Sequence, residues 1–330
     1  MMARVIPIER AQRHPDRCQA VTAAGRACRN RARPNGFCGV HQPPAPPERI
    51  GPFSAQGLRE LLELARRRLL GDYEVDEFGF DPELTEKLLL PLVKPLYEYY
   101  WRADWLGLEN VPSTGAALLV GNHAGTVPVD AVVMKFGLLD KHPANRHLRL
   151  LAADLAFRLP VVAPLARKIG NTLACDEDAL RLLAGGELVG VFPEGYKGVG
   201  KGYKNRYKLQ RFGRGGFVEL GLKARVPIVP VAIVGSEEIY PMIHNAKMLA
   251  RIGGFPYFPI TPLFPWLGPL GLIPLPSKWI VRFGEPIRTD QYDEGAWQDG
   301  MLVFELADQV RDAVQQMLYE NLTRRRNVFV

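Results

Sequence analysis

Serine and cysteine are scarce in this chain of 330 residues, with four of each. None of Ser54, Ser113, Ser236 or Ser277 stands in a G-x-S-x-G turn, which excludes a serine hydrolase built on a nucleophile elbow. No H-E-x-x-H pair occurs, so the common zinc-hydrolase helix is missing too. Three cysteines crowd the first forty residues and Cys175 stands alone, which is not the pattern of a secreted disulfide scaffold and points to a cytosolic setting. The opening MMARVIPIERAQRHPDR holds no apolar core segment, so neither a secretory signal nor an N-terminal anchor is expected. Long uninterrupted apolar runs are also wanting. Residues 252–277 carry no charge, but seven prolines divide them, and each interior proline costs a helix ~3 kcal/mol. A spanning helix is therefore not expected there. Such a segment suits a lipid headgroup region, with Phe255, Tyr257, Phe258, Phe264 and Trp266 as anchors; the alternative is a loop packed on the protein's own core.

Acidic residues are sparse at the N-terminus. Residues 1–35 hold eight arginines against Glu9 and Asp16, which accounts for +6 of the formal net charge of +7. The rest of the chain is nearly neutral. Within this basic stretch Cys18, Cys28, Cys38 and His41 are separated by nine, nine and two residues, a set suited to one tetrahedral zinc ion. The alternative is a tail of unligated cysteines. Residues 1–41 thus read as a basic Cys3His module, 42–52 as a proline-rich linker, and 53–104 as a helical, membrane-associating region. In that region residues 54–70 place Leu58, Leu61, Leu62 and Leu69 at helical spacing, and a second helix is expected over 82–100.

From residue 105 to 290 short apolar runs alternate with helical stretches, which predicts an α/β domain with a sheet flanked by helices. Strands are expected at 116–120, 148–152, 188–192, 228–234 and 279–283, and a closing helix within 291–330. Two of these strands end in chemistry. After the first comes Asn122-His123-Ala124-Gly125, with Asp130 seven residues beyond the histidine, and after the third comes Phe192-Pro193-Glu194-Gly195. A histidine with a nearby carboxylate and no nucleophilic serine beside it is the minimum needed to take a proton from an alcohol.

These blocks, in this order and followed by Val226-Pro227-Ile228-Val229-Pro230-Val231, resemble the glycerolipid (lysophospholipid) acyltransferase family, whose motifs are N-H-x4-D, F-P-E-G and V-P-I-x-P-V. The resemblance runs from about Trp105 to Pro286. It implies a mixed sheet flanked by helices, and His123 as a general base oriented by Asp130. It also implies substrate contacts from Asn122, Gly125, Phe192, Pro193, Glu194 and Gly195, and no cofactor for catalysis. The donor would be acyl-CoA or acyl-carrier protein, the acceptor a glycerolipid or lysophospholipid, and the location cytoplasmic, on the inner face of the cell membrane. The chain departs from the family pattern twice. Six residues, not four, separate His123 from Asp130, and the stretch 170–176 lacks the arginine that the family places there for an acceptor phosphate. Lys197 or Lys201 could supply that charge, within a run over 196–218 that is basic and free of acids, or the acceptor could be a neutral glyceride.

Two rival readings come from the same residues. One is a hydrolase holding a metal through His123, Asp130 and Glu194. The other is a binding protein whose N-terminal module touches nucleic acid or an anionic surface, with a degenerate catalytic domain. Nucleic acid is not expected as a partner on the first-choice reading.

Overall fold

The central strands form where the sequence is apolar at nearly every position, as expected of a sheet covered on both faces. In the computed structural model, which describes residues 30–31, 55–160, 162–213 and 215–329, nine strands are found. They are β1 (Asp104–Leu106), β2 (Ala117–Gly121), β3 (Leu148–Ala152), β4 (Thr172–Leu173), β5 (Leu188–Val191), β6 (Ile228–Val234), β7 (His244–Asn245), β8 (Pro259–Ile260) and β9 (Ile280–Phe283). The chain divides into two units, Met1–Gly51 and Pro52–Val330, and all nine strands belong to the second. Cys18, Cys28, Cys38 and His41, and the whole of the expected linker, lie outside the described residues.

Seven strands make one mixed sheet in the order β1-β9-β6-β2-β5-β3-β4, and β7 and β8 form a separate antiparallel pair. The block from β6 to β4 is parallel, whereas β9 runs against β6 and carries β1 with it. Strand alternation then splits the core into two layers. Leu118, Val120, Val189, Ala232 and Val234 face one layer, and Ala117, Leu119, Leu188, Val229, Val231 and Ile233 face the other.

The first layer is closed by helix Gly300–Arg324, whose Val303, Leu306, Val310, Val314 and Leu318 recur every three or four residues and are all buried. Each such side chain contributes about 1.5–3 kcal/mol of burial. Asp299 starts this helix by accepting hydrogen bonds from the Met301 and Leu302 amides at 2.9 and 3.2 Å. The second layer is covered by helix Val129–Lys141 and by the helical stretch 82–100.

That stretch departs from the regular helix expected. It alternates α segments, Pro82–Leu84 and Leu90–Pro95, with π turns at Thr85–Leu89 and Leu96–Tyr100. Pro91 and Pro95 each withhold an amide from the helical ladder, and the π turns lie next to them. Helix Ala55–Leu69 is attached to the start of this stretch by ion pairs of Arg67 with Glu83 and of Arg68 with Asp81 and Glu83. Its apolar stripe is only partly covered, because Leu64 is buried while Leu62 and Leu69 stay exposed. The short strands β1 and β4, at the two edges of the sheet, were not foreseen in the sequence.

Candidate active site

β2 and β5 are neighbours in the sheet, and their register pairs Ala117 with Leu188 and Val120 with Val191. Carrying that register three residues past the Val120–Val191 pair brings His123 opposite Glu194. The carboxyl ends of parallel strands are where open α/β sheets place their ligands. Asn122 fixes the exit of β2: its side-chain amide donates to the Ile233 carbonyl at 3.0 Å and accepts from the Ile233 amide at 2.7 Å. The side chain is buried and engaged with β6, so it shapes the loop from behind.

His123 Nδ1 lies 2.8 Å from Asp130 Oδ2. A carboxylate partner selects the tautomer with hydrogen on Nδ1, so Nε2 carries the lone pair. Asp130 is fully buried at the start of helix Val129–Lys141, and the same Oδ2 also accepts the Ala124 amide at 2.8 Å. The ring of Phe192 is stacked on the imidazole. The loop between the two catalytic candidates is longer than the family's, and it is pinned in its middle. Gly125 has φ +99° and Thr126 has φ +67°. The Thr126 amide donates to the Val199 carbonyl at 3.2 Å, its hydroxyl donates to the Tyr240 carbonyl at 3.0 Å, and its own carbonyl accepts from the Tyr257 hydroxyl. Val127 and Pro128, at the tip, are exposed.

The F-P-E-G block is turned inward. Glu194 Oε1 accepts the His123 amide at 3.0 Å, and Oε2 accepts the Gln210 amide at 2.6 Å. Gly195 has φ +55°, which re-aims the chain into a short helix, Tyr196–Val199. Gly198 then packs so close that a methyl group in its place would stand 2.4 Å from the His123 carbonyl oxygen. The backbone of His123 is thus held by one side chain and abutted by a glycine from the same neighbouring segment. The amides of His123, Ala124 and Thr126 are all engaged, while that of Gly125 has no partner among the described residues.

The two lysines proposed as substrate contacts take different positions. Lys197 is exposed. Lys201 is buried, with Nζ 3.0 Å from Glu237 Oε1, 3.1 Å from the Lys208 carbonyl and 3.7 Å from Glu194 Oε2. Two inward acceptors and the charge of Glu194 hold it away from solvent, so it is not poised as an outward phosphate contact. Lys204, Arg206, Lys208 and Arg211 are exposed, and Tyr207, Leu209 and Phe212 point into the core between them. Burial pushes the Glu237 carboxyl up to about 7, opposed by the Lys201 ammonium.

The uncharged segment after β7 lies beside this site. Tyr257, which holds Thr126, has its hydroxyl pushed up to about 12 by burial and by the charge of Asp130. Helix Lys247–Gly253 and the turns that follow leave Met248, Ile252, Trp266, Leu267, Leu270 and Ile273 exposed, while Tyr257 and Phe258 are partly covered. Among the described residues no helix is long and apolar enough to cross a membrane. Nor does any group of three His, Cys, Asp or Glu among them have the arrangement of a metal site. Cavities of about 570 and about 420 Å³ are lined by Pro230, Gly284 and Met317 and by Asp104, Lys278 and Arg325 respectively, and neither lining contains His123 or Glu194.

Several residues around the site were not singled out in the sequence: Gln210, Glu237 and the close-packed Gly198. Glu237 had a usable signal, since Gly235-Ser236-Glu237-Glu238 follows directly on the apolar run of β6, as His123 and Glu194 follow β2 and β5.

Comparison with known proteins adds a separate line of observation. The acyltransferase family model matches residues 102–234. An uncharacterized protein of Mycobacterium tuberculosis is 55% identical over 275 residues, which is 83% of this chain and 77% of that protein. A Gallus gallus protein described as a DGAT1/2-independent enzyme synthesizing storage lipids is 27% identical over 184 residues, 56% of this chain and 52% of its own length. The crystal structure of the 1-acyl-sn-glycerophosphate (LPA) acyltransferase PlsC from Thermotoga maritima matches with a TM-score of 0.49 and 19% identity, covering 82% of this chain and 90% of that one.

Proposed function

Given that the chain belongs to the acyltransferase family and is an acyltransferase enzyme, we propose that it moves a fatty acyl group from acyl-CoA or acyl-carrier protein to a hydroxyl of a glycerolipid or lysophospholipid, with His123 as general base. The observation that carries this reading is the 2.8 Å contact between His123 Nδ1 and Asp130 Oδ2, which leaves Nε2 free to take a proton. In the proposed reaction Nε2 removes the acceptor's hydroxyl proton as the oxygen bonds to the thioester carbonyl. Asp130 balances the imidazolium that forms. The tetrahedral intermediate collapses, the carbon–sulfur bond breaks, and the thiolate takes the proton back from Nε2. We assign the Gly125 amide to the oxyanion, because its three neighbours are already engaged.

Among acceptors a neutral glyceride is favoured. The stretch 170–176 has no arginine, the nearby Arg149 is buried against Asp76 and over Phe80, and Lys201 is turned inward. Lys197 and the exposed cations that follow it suit the phosphates of a donor or of anionic headgroups. The storage-lipid wording of the Gallus gallus relative agrees with this choice. The exposed apolar side chains between Met248 and Ile273 suit a peripheral position on the inner face of the cell membrane, from which a lipid acceptor could reach His123.

The test is a purified full-length chain incubated with labelled acyl-CoA or acyl-carrier protein and a panel of monoacylglycerol, diacylglycerol and lysophospholipids. Label should enter a glyceride and fail to do so with His123→Ala. Absence of transfer to every acceptor from both donors overturns the reading.

A further inference from the structure

Behind the catalytic histidine four chain segments converge on two carboxylates and one ammonium. Glu194 follows β5, Lys201 and Lys208 belong to the basic run, Glu237 follows β6, and His123 follows β2. The side chains of Glu194, Lys201 and Glu237 have 0%, 3% and 4% of their surface exposed. A buried carboxylate is sustained only by hydrogen bonds and an opposite charge. Glu194 spends its oxygens on the His123 and Gln210 amides, at 3.0 and 2.6 Å. Its charge is met by Lys201 at 3.7 Å, beyond hydrogen-bond range, so that contribution is coulombic. What keeps Lys201 in place is its 3.0 Å contact with Glu237 and its 3.1 Å hydrogen bond to the Lys208 carbonyl.

We infer that Lys201 and Glu237 are positioning residues for the catalytic loop: Glu237 holds the Lys201 ammonium beside Glu194, and Glu194 so balanced holds the peptide N–H of His123. The inference rests on His123 as the base, and it extends to residues that touch neither substrate nor reacting atoms. Glu237 is itself anchored, since its Oε1 also accepts the Tyr207 amide at 2.8 Å. The next residue, Glu238, is separately paired with Arg325 at 2.8 Å and accepts the Tyr207 hydroxyl. The charged groups acting on Glu237 are therefore Lys201 and Glu194, with Tyr207 between them and the Glu238–Arg325 pair. Two carboxylates share one ammonium in the inner cluster. Burial is the main cause of the upward displacement of the Glu237 carboxyl to about 7, and the charge of Glu194 adds to it.

The experiment uses the full chain labelled with 15N only at histidine, with the His123 amide resonance identified by its loss in His123→Asn. In Lys201→Met the buried Glu194, left without its cation, should take up a proton, and the His123 amide proton should move upfield as its acceptor weakens. The kcat for acyl transfer should fall ~10-fold or more through misplacement of the base, with the donor KM little changed. Glu237→Ala should do the same, and Glu237→Gln, which keeps an acceptor for Lys201, should recover most of the loss. A folded Lys201→Met protein with an unmoved His123 amide and wild-type kcat overturns the inference. If Lys201→Met does not fold, the Glu237→Ala and Glu237→Gln pair decides by the same two readings. A wild-type chain inert toward every acceptor would instead count against the acyl-transfer reading, and the amide resonance would still judge the positioning role.

Discussion

Phe192 lies flat against the imidazole of His123, with ring centroids 4.5 Å apart and planes inclined by 21°. The imidazole is thereby held on one face by an aromatic ring and at Nδ1 by Asp130. An aromatic pair contributes about 0.5–1.5 kcal/mol beyond its buried area, which sets the expected effect of Phe192→Leu at ~10-fold or less in kcat. Steady-state kinetics with the acceptor saturating checks it. An unchanged kcat would mean that the carboxylate alone orients the ring.

Asp130→Asn keeps the volume of the buried side chain but cannot stabilise an imidazolium. Turnover should drop by ~10²–10⁴-fold. Combining it with His123→Ala should cost little more than the worse single change, because groups acting as one unit are not additive. Additive losses would separate the two residues.

Gly198→Ala places a methyl group 2.4 Å from the His123 carbonyl oxygen, and backbone lies on that side. Displacing the base by a few tenths of an ångström to 1 Å should lower kcat by up to ~10²-fold. Gly216→Ala is the control, because it meets nothing within 4 Å and its φ is not in the left-handed region. That change should be neutral or stabilise by about 0.4–1 kcal/mol in denaturant unfolding.

Stability should fall with rising pH in the range set by Glu237. Its folded carboxyl is raised to about 7 from an ordinary value of 4.5, so the native state binds its proton more tightly than the unfolded chain does. The contribution is complete below pH 4.5 and lost as pH rises through 7, with a slope of at most about 1.4 kcal/mol per pH unit. Urea unfolding of the wild type and of Glu237→Gln at a series of pH values isolates the effect. Parallel profiles would remove Glu237 as the titrating group.

Replacing Ile252, Trp266 and Leu270 with serine tests the lipid-facing surface, since the three are 78%, 71% and 65% exposed and have little folded structure to lose. Sedimentation with phosphatidylglycerol vesicles should weaken ~10-fold or more, each anchor contributing a fraction of the roughly 1.5–3 kcal/mol of full burial. Undiminished sedimentation would place the contact elsewhere.

Much of the domain was legible because its central strands are apolar at nearly every position, Arg149 in β3 being the exception. Leu148–Ala152 and Ile228–Val234 match the expected strands residue for residue. β1 and β4 escaped notice because they are three and two residues long, and such strands owe their state to the neighbour that pairs with them. His123, Asp130 and Glu194 stood out through motif order, and the structure brings all three together. The sequence could not show that Lys201 faces inward. A lysine among exposed cations looks like its neighbours until Glu194 and Glu237, seven positions before it and thirty-six after, are brought within reach by the fold.

The shared register of β2 and β5 makes the distance from each strand to its reactive residue a matter of counting. Side chains alternate sides with every residue, so inserting or deleting one amino acid between Ala117 and Asn122 would shift the histidine by a step against a partner that had not moved. Volume-conserving substitutions in these strands can be absorbed by repacking; a change in their length cannot. The spacing from strand to histidine is therefore the least forgiving dimension of this enzyme, and loops elsewhere can grow, as the one before Asp130 has, without disturbing it.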